Sequence, residues 1–127
     1  MRKVINPAGI APPASAYNHA FLTSPASALL TIAGQLGERP DGTCVEGAEA
    51  QARQAWANVK AILEEAEMDF TNVSKVTSYI VGNENIGAYV AVHKELLAET
   101  LPPWTLVVVA ALGRPDYLIE VDVTATA

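Results

Sequence analysis

The chain has 127 residues, half of them hydrophobic and 17% charged, with a formal net charge of −6. That length fits one domain over residues 1–127, with enough apolar mass for a core. Its eight Lys and Arg are scattered, which argues against a nucleic-acid surface. The single cysteine, Cys44, excludes an internal disulfide and a Cys-rich metal site, and no run approaches the ~20 apolar residues of a membrane span.

Met1 to Pro7 hold no apolar run of the signal-peptide kind, so a cytoplasmic protein without metal or cofactor is expected. Val4 and Ile5 read as a short first strand, followed by a Pro-, Gly- and Ala-rich ordered loop over residues 6–16. Two strands follow, Tyr17 to Leu22 and Ala28 to Ala33, then a turn-rich loop from Glu38 to Thr43. Ala52, Ala55, Trp56, Val59, Ile62, Leu63 and Ala66 recur at helical spacing and predict an amphipathic helix. Asp69 to Asn72 break that pattern, and Val73 to Val81 is β-rich.

A second helix is expected to start near Asn83 to Asn85, with Asn side chains capping free N–H groups. Ile86, Tyr89, Val90, His93 and Leu97 share its apolar face, and Pro102 and Pro103 stop it. Two strands close the chain, Trp104 to Leu112 and Tyr117 to Thr126, joined through Gly113–Asp116 as a hairpin. The order β, β, β, α, β, α, β, β predicts an α+β fold: a single mixed sheet with two helices on one face. Val107 and Val109 alternate with Leu106 and Val108, so both faces of that strand are apolar. Two helices cover one face only, and the simplest cover for the other is further copies of the chain.

Five short segments, in order and spacing, are similar to the RidA/YjgF/UK114 family: Pro13–Ala20, Ala33–Gln35, Gln51–Val59, Val76–Tyr79 and Leu118–Val121. The resemblance implies a chorismate-mutase-like fold in a homotrimer with a central barrel, and small-molecule sites in three intersubunit clefts. It also implies deamination of imines and enamines by hydrolysis. Carried over by position, Glu120 matches a carboxylate that orients or activates water, and Tyr17 a cleft tyrosine. Gly34 matches a glycine whose backbone faces the ligand. Leu106 is a backbone contact where cysteine is common, and Thr105 beside it is placed with the ligand-binding positions. Trp104 stands where deaminating members have an arginine that clamps the substrate carboxylate, and Ala33 replaces a common serine.

An indole cannot replace a planar cation with five donors. Losing such a charge-assisted contact costs about 1.5–3 kcal/mol, so turnover of 2-imino acids is expected to be weak or absent. Trp104 reads equally as a ligand wall for an aromatic, cationic or neutral molecule and as interface packing. His19 follows Tyr17 by two and should share its side; His93 reads as a satisfied core histidine, Arg114 as a solvated turn residue, and Cys44 as a loop thiol. Asp122 points like Glu120, two residues on. With a tight hairpin, Val109 falls opposite Glu120, which leaves Trp104 about 16 Å away along its strand. A shared site would then need Glu120 from a neighbouring subunit.

The function expected is binding, and in the catalytic case hydrolysis, of a small imine, enamine or other neutral nitrogen compound in intersubunit clefts. The alternative is a non-catalytic small-molecule-binding or interaction protein of the same fold. A ribonuclease or translation inhibitor is disfavoured by the acidic charge.

Overall fold

A computed structural model describes residues 1–127. The elements are β1 (Arg2–Ile5), β2 (Ala20–Thr23), β3 (Leu29–Leu36), α1 (Ala48–Glu65), β4 (Val73–Val81), α2 (Ile86–Leu97), β5 (Trp104–Val109) and β6 (Ile119–Thr126). β1 and β2 form an antiparallel ladder of their own, while β3, β6, β4 and β5 lie in that order in a mixed four-stranded sheet. The α+β class with two helices and a mixed sheet is as expected from the sequence.

The helical stripe becomes the core. Ala52, Ala55, Trp56, Val59 and Leu63 are fully buried, and they meet Ile119, Val121, Val123 and Ala125 of β6 and Val73, Val76 and Ile80 of β4. Ala66, counted in the stripe, is exposed, because α1 ends at Glu65. Its stop is a left-handed residue, Glu67 at φ 57°, with Met68 N–H returning to the Leu63 carbonyl at 2.8 Å. The second helix starts where expected but is not capped by asparagine: Asn85 makes no cap and donates to the Val81 carbonyl at 2.7 Å.

The expected hairpin between the last two strands does not form. β5 pairs only with β4, in parallel, and β6 lies on the other side of β4, antiparallel to both β3 and β4. The physical reason is the anchoring of the connecting segment on α1. The Gln51 amide, 2% exposed, donates to the Val45 and Asp116 carbonyls and accepts from the Leu118 and Ile119 N–H groups. Residues 110–118 thus carry the chain across β4 instead of turning it back. Tyr79, not Val109, lies opposite Glu120.

The face of the sheet away from the helices stays open in the single chain. Thr31, Thr105, Val107 and Asp122 are exposed there, and Thr77, Tyr79, Glu120 and Thr124 are half-buried. No helix is long and apolar enough to cross a membrane.

Within the core lies one polar chain. Ser78 Oγ donates to the Tyr89 hydroxyl at 2.5 Å, and Trp56 Nε1 donates to the same oxygen at 3.3 Å. Tyr89 is then left its own proton for His93 Nδ1, 3.0 Å away. His93 Nε2, buried without a partner, is the exception to the expectation of a satisfied histidine. Burial pushes the Tyr89 phenol up to about 12 and the His93 imidazole down to about 3. His93 is therefore neutral when folded and takes a proton when unfolded at any pH below ~6.5. Its contribution to stability is complete above that pH and is lost as pH falls toward the folded value. The margin by which the wild type exceeds His93→Gln in urea denaturation should shrink from pH 7 to pH 4. A constant margin would refute the assignment.

Candidate functional site

The residues singled out in the sequence fall into two groups on different edges and faces. The first lies along β5, an edge strand. Trp104 pairs with Val76 and Leu106 with Ser78, so both side chains share the helix face. The Trp104 indole stacks on His93, with ring centroids 3.7 Å apart and planes at 16°, and its Nε1–H donates to Ser78 Oγ at 2.9 Å. Trp104 thereby extends the polar chain of the core to the sheet edge, and its only donor is used there.

Tyr17 meets Trp104 edge-on at 6.5 Å, and His19 meets Tyr17 edge-on at 5.9 Å. Neither lies on a strand: β2 starts only at Ala20. What holds this loop is Asn18, whose backbone N–H and Nδ2 both donate to the Leu101 carbonyl at 2.9 Å, just before the two prolines. Asn6 Oδ1 accepts from the His19 N–H at 2.7 Å, and His19 Nε2 lies 2.8 Å from the Ala11 carbonyl. A carbonyl only accepts, so Nε2 is the donor in this contact. The Tyr17 oxygen accepts from the Ala14 N–H at 3.3 Å, which leaves its own proton to donate. Thr105 points to the opposite face, where Lys75 Nζ reaches its hydroxyl at 2.8 Å.

The second group lies at the β3 edge on the open face. Ala33 and Gly34 form a bulge between the pairs Ile32–Val123 and Gln35–Val121. The Glu120 side chain lies across Gly34: a Cβ there would overlap Oε2 and come 2.8 Å from the carboxyl carbon. Only glycine admits this approach. Gly34, Tyr79, Val109, Leu112, Glu120 and Asp122 line a depression of about 300 Å³. Burial, and secondarily the charge of Asp122, push the Glu120 carboxyl above its ordinary value.

Trp104 and Glu120 are on opposite faces. Trp104 lies three residues below Val107, whose β4 partner Tyr79 also faces Glu120. That is ~10 Å along and two strand spacings, ~9.6 Å, across. The separation expected from the sequence therefore holds, but by the parallel crossover and not by a hairpin.

Arg114 pairs with Asp116 at 2.9 Å and stacks on Tyr117, so it is a loop residue away from both groups. Cys44 is half-buried, and burial raises its thiol. Sequence reading missed Ser78. A serine between Val76 and Ile80 on a buried strand face needs a polar partner, and that was the available signal.

Two substitutions test this geometry. Trp104→Ala should cost about 2–3 kcal/mol in urea denaturation, below the 3–5 of a fully buried tryptophan because the ring is half-exposed. Loss under 0.5 kcal/mol would mean that the indole is not seated on His93. Glu120→Gln concerns a carboxyl whose folded pKa is raised, so the folded state prefers the proton and stability falls as pH rises past ~4.3. The variant should melt at or above the wild type at pH 7, and the difference should vanish near pH 4. A lower melting point at pH 7 would show that the ionised carboxylate is stabilising.

Comparison with known proteins agrees with this architecture over the whole chain. A family profile described as Endoribonuclease L-PSP matches residues 9–127. The chain is 32% identical to the RutC family protein slr0709 of Synechocystis, covering 97% of this chain and 95% of that one. It is also 32% identical to a 2-iminobutanoate/2-iminopropanoate deaminase of Rattus norvegicus, covering 98% and 90%. Among solved structures it is similar to YyfB of Yersinia pestis, a Rid-family protein of unknown function, at a TM-score of 0.87 and 30% identity over 99% and 98% of the two chains. The sequence match along almost its full length, and a fold shared with solved Rid proteins, place this chain in the RutC/Rid/YjgF family.

Proposed function

We propose that the protein binds, and hydrolyses, a small imine, enamine or other neutral nitrogen compound in clefts between three copies, with weak or no turnover of 2-imino acids. The observation that carries this reading is Trp104. At the position that the resemblance gives to a carboxylate-clamping arginine stands a side chain stacked on His93, with its one donor spent on Ser78. The half-buried indole also meets Tyr17 edge-on.

The rest of the machinery is divided between the two edges. β5 and β3 are the outermost strands of the four-stranded sheet. A ring that sets one copy's β5 edge against the next copy's β3 edge brings Tyr17, Trp104, Leu106 and Thr105 toward Gly34 and Glu120. The open sheet face supports such a ring, because apolar Val107 and Leu29 are exposed on it. Hydrolysis then needs a water that adds to the C=N carbon, a proton delivered to nitrogen, and departure of ammonia to leave a carbonyl. Glu120, with its raised proton affinity, suits the water, and the free Tyr17 proton suits the nitrogen.

A second reading is that of a non-catalytic binder on the same scaffold, favoured by the commitment of Trp104 to the core. Nucleic-acid cleavage has less support: of the eight basic residues, Arg53, Lys60 and Arg114 are already in ion pairs, and the net charge is −6. The test is keto-acid release from 2-iminopropanoate generated in place by an amino-acid oxidase. Turnover should be at least about tenfold below that of an arginine-bearing relative, the low end of a lost charge-assisted contact. Equal turnover overturns the reading.

A further inference from the structure

The geometry points to Arg39 as the anion-binding residue of this site, selecting nitrogen compounds whose carboxylate lies several bonds from the C=N carbon instead of next to it. The inference rests on the function proposed above and names the substrate class for it. Gly34 belongs to two depressions at once. On one side is the Glu120 depression of about 300 Å³; on the other is a polar cavity of about 290 Å³ that also holds Gln35, Glu38, Arg39 and Asn58. Arg39 is the cation of that cavity, and Gly34 lines both.

Arg39 is held in place and makes no ion pair. Its N–H donates to the Thr43 carbonyl at 2.8 Å, and its carbonyl accepts from Gly42 N–H at 2.9 Å. Asn58 Nδ2 fixes the preceding residues through the Leu36 and Glu38 carbonyls, both at 3.1 Å. The guanidinium makes one hydrogen bond, from Nη1 to Thr43 Oγ1 at 3.2 Å, and no ion pair. Two acids are near, and neither contacts the guanidinium: Glu38 accepts from the Tyr117 hydroxyl, and Asp41, which feels the charge of Arg39, accepts from Thr43. Four of the five guanidinium donors therefore remain for a ligand, in the fork that fits a carboxylate.

A molecule lying across Gly34 would set its reacting carbon by Glu120 and its far end by Arg39. An α-carboxylate would be held beside the negative charge of Glu120 and Asp122, whereas a carboxylate further along the chain of the molecule is carried away from them toward Arg39. The loss of one arginine on β5 is thus matched by a cation in the loop after β3, displaced from the reacting carbon.

The test uses three five-carbon carbonyl compounds as stable stand-ins for imines: 4-oxopentanoate, 2-oxopentanoate and the uncharged pentan-2-one. Affinities for the intact protein are measured by ligand-observed NMR titration. 4-Oxopentanoate should bind about tenfold or more tightly than pentan-2-one, and 2-oxopentanoate should show no such gain. Arg39→Gln should bring 4-oxopentanoate to the level of pentan-2-one, with Arg39→Lys between the two. Arg39 is exposed, and unchanged melting of the free variants checks their fold. Equal binding of the two acids, or an advantage of 4-oxopentanoate that survives in Arg39→Gln, overturns the role of Arg39 alone. Failure of all three compounds to bind overturns the cleft reading together with the inference built on it.

Discussion

Gln51 is one amide on the first helix, yet the side of the sheet on which each C-terminal residue lies depends on it. Its two donors and its two-fold acceptor oxygen are all used, on Val45, Asp116, Leu118 and Ile119. It enters a place that Gly37 leaves clear, since a Cβ at 37 would come 2.7 Å from Gln51 Cγ. The two N–H groups it receives are those of Leu118 and Ile119, at the threshold of β6. Side chains of a strand alternate with period two, so a slip of one residue there would turn Glu120, Asp122 and Thr124 inward and Ile119, Val121 and Val123 out to water. The burial of three aliphatic side chains and the placement of the candidate carboxylate on the open face are thus decided together, at one buried amide.

The same sheet explains why the candidate site is divided. The crossover through α2 makes β5 parallel to β4 and leaves it at the edge, while β6 takes the centre. Aromatic groups therefore gather at one edge and the carboxylate near the other. Within one chain they cannot act on one small molecule. In the ring proposed above, association joins them, and the unpartnered face supplies the surface for it. At the aromatic edge the core extends outward: Trp104, Ser78, Tyr89 and His93 form a continuous chain of hydrogen bonds and stacking from the outer strand to the middle of the fold. A change at the edge is transmitted to the core in the same way, because Ser78 and His93 both lose a neighbour with Trp104.

What was legible in the sequence follows what is local. The stripe of α1 and the alternation of β6 are properties of a few neighbouring residues, and Trp56, Val59, Leu63, Ile119, Val121 and Val123 are buried as their spacing implies. The hairpin reading failed because Gly113–Asp116 is a sound turn signal, and nothing adjacent to it announces Gln51, more than sixty residues earlier. Asn85 was read as a cap from its type and position, whereas its amide found a carbonyl in the preceding strand. The resemblance assigned Tyr17, Gly34, Trp104, Leu106 and Glu120 to a site by position, and it could not say that the indole of Trp104 is turned into the core. Arg39 was invisible for a different reason. A cation in a turn-rich loop has no periodicity, and its nearness to Gly34 arises only when the β3 bulge and the loop are folded together.

The contact between Gly34 and Glu120 also bears on how this protein is able to change over evolutionary time. The carboxylate occupies the volume that any side chain at 34 would need. A lineage that acquires even alanine at 34 must shorten or redirect residue 120, and one that keeps the Glu120 carboxylate in this place keeps glycine at 34. The two positions are therefore coupled through the placement of the carboxylate. A side chain at 34 would swing the free end of Glu120 off Gly34 and so move the carboxylate out of the depression before it cost the fold anything larger.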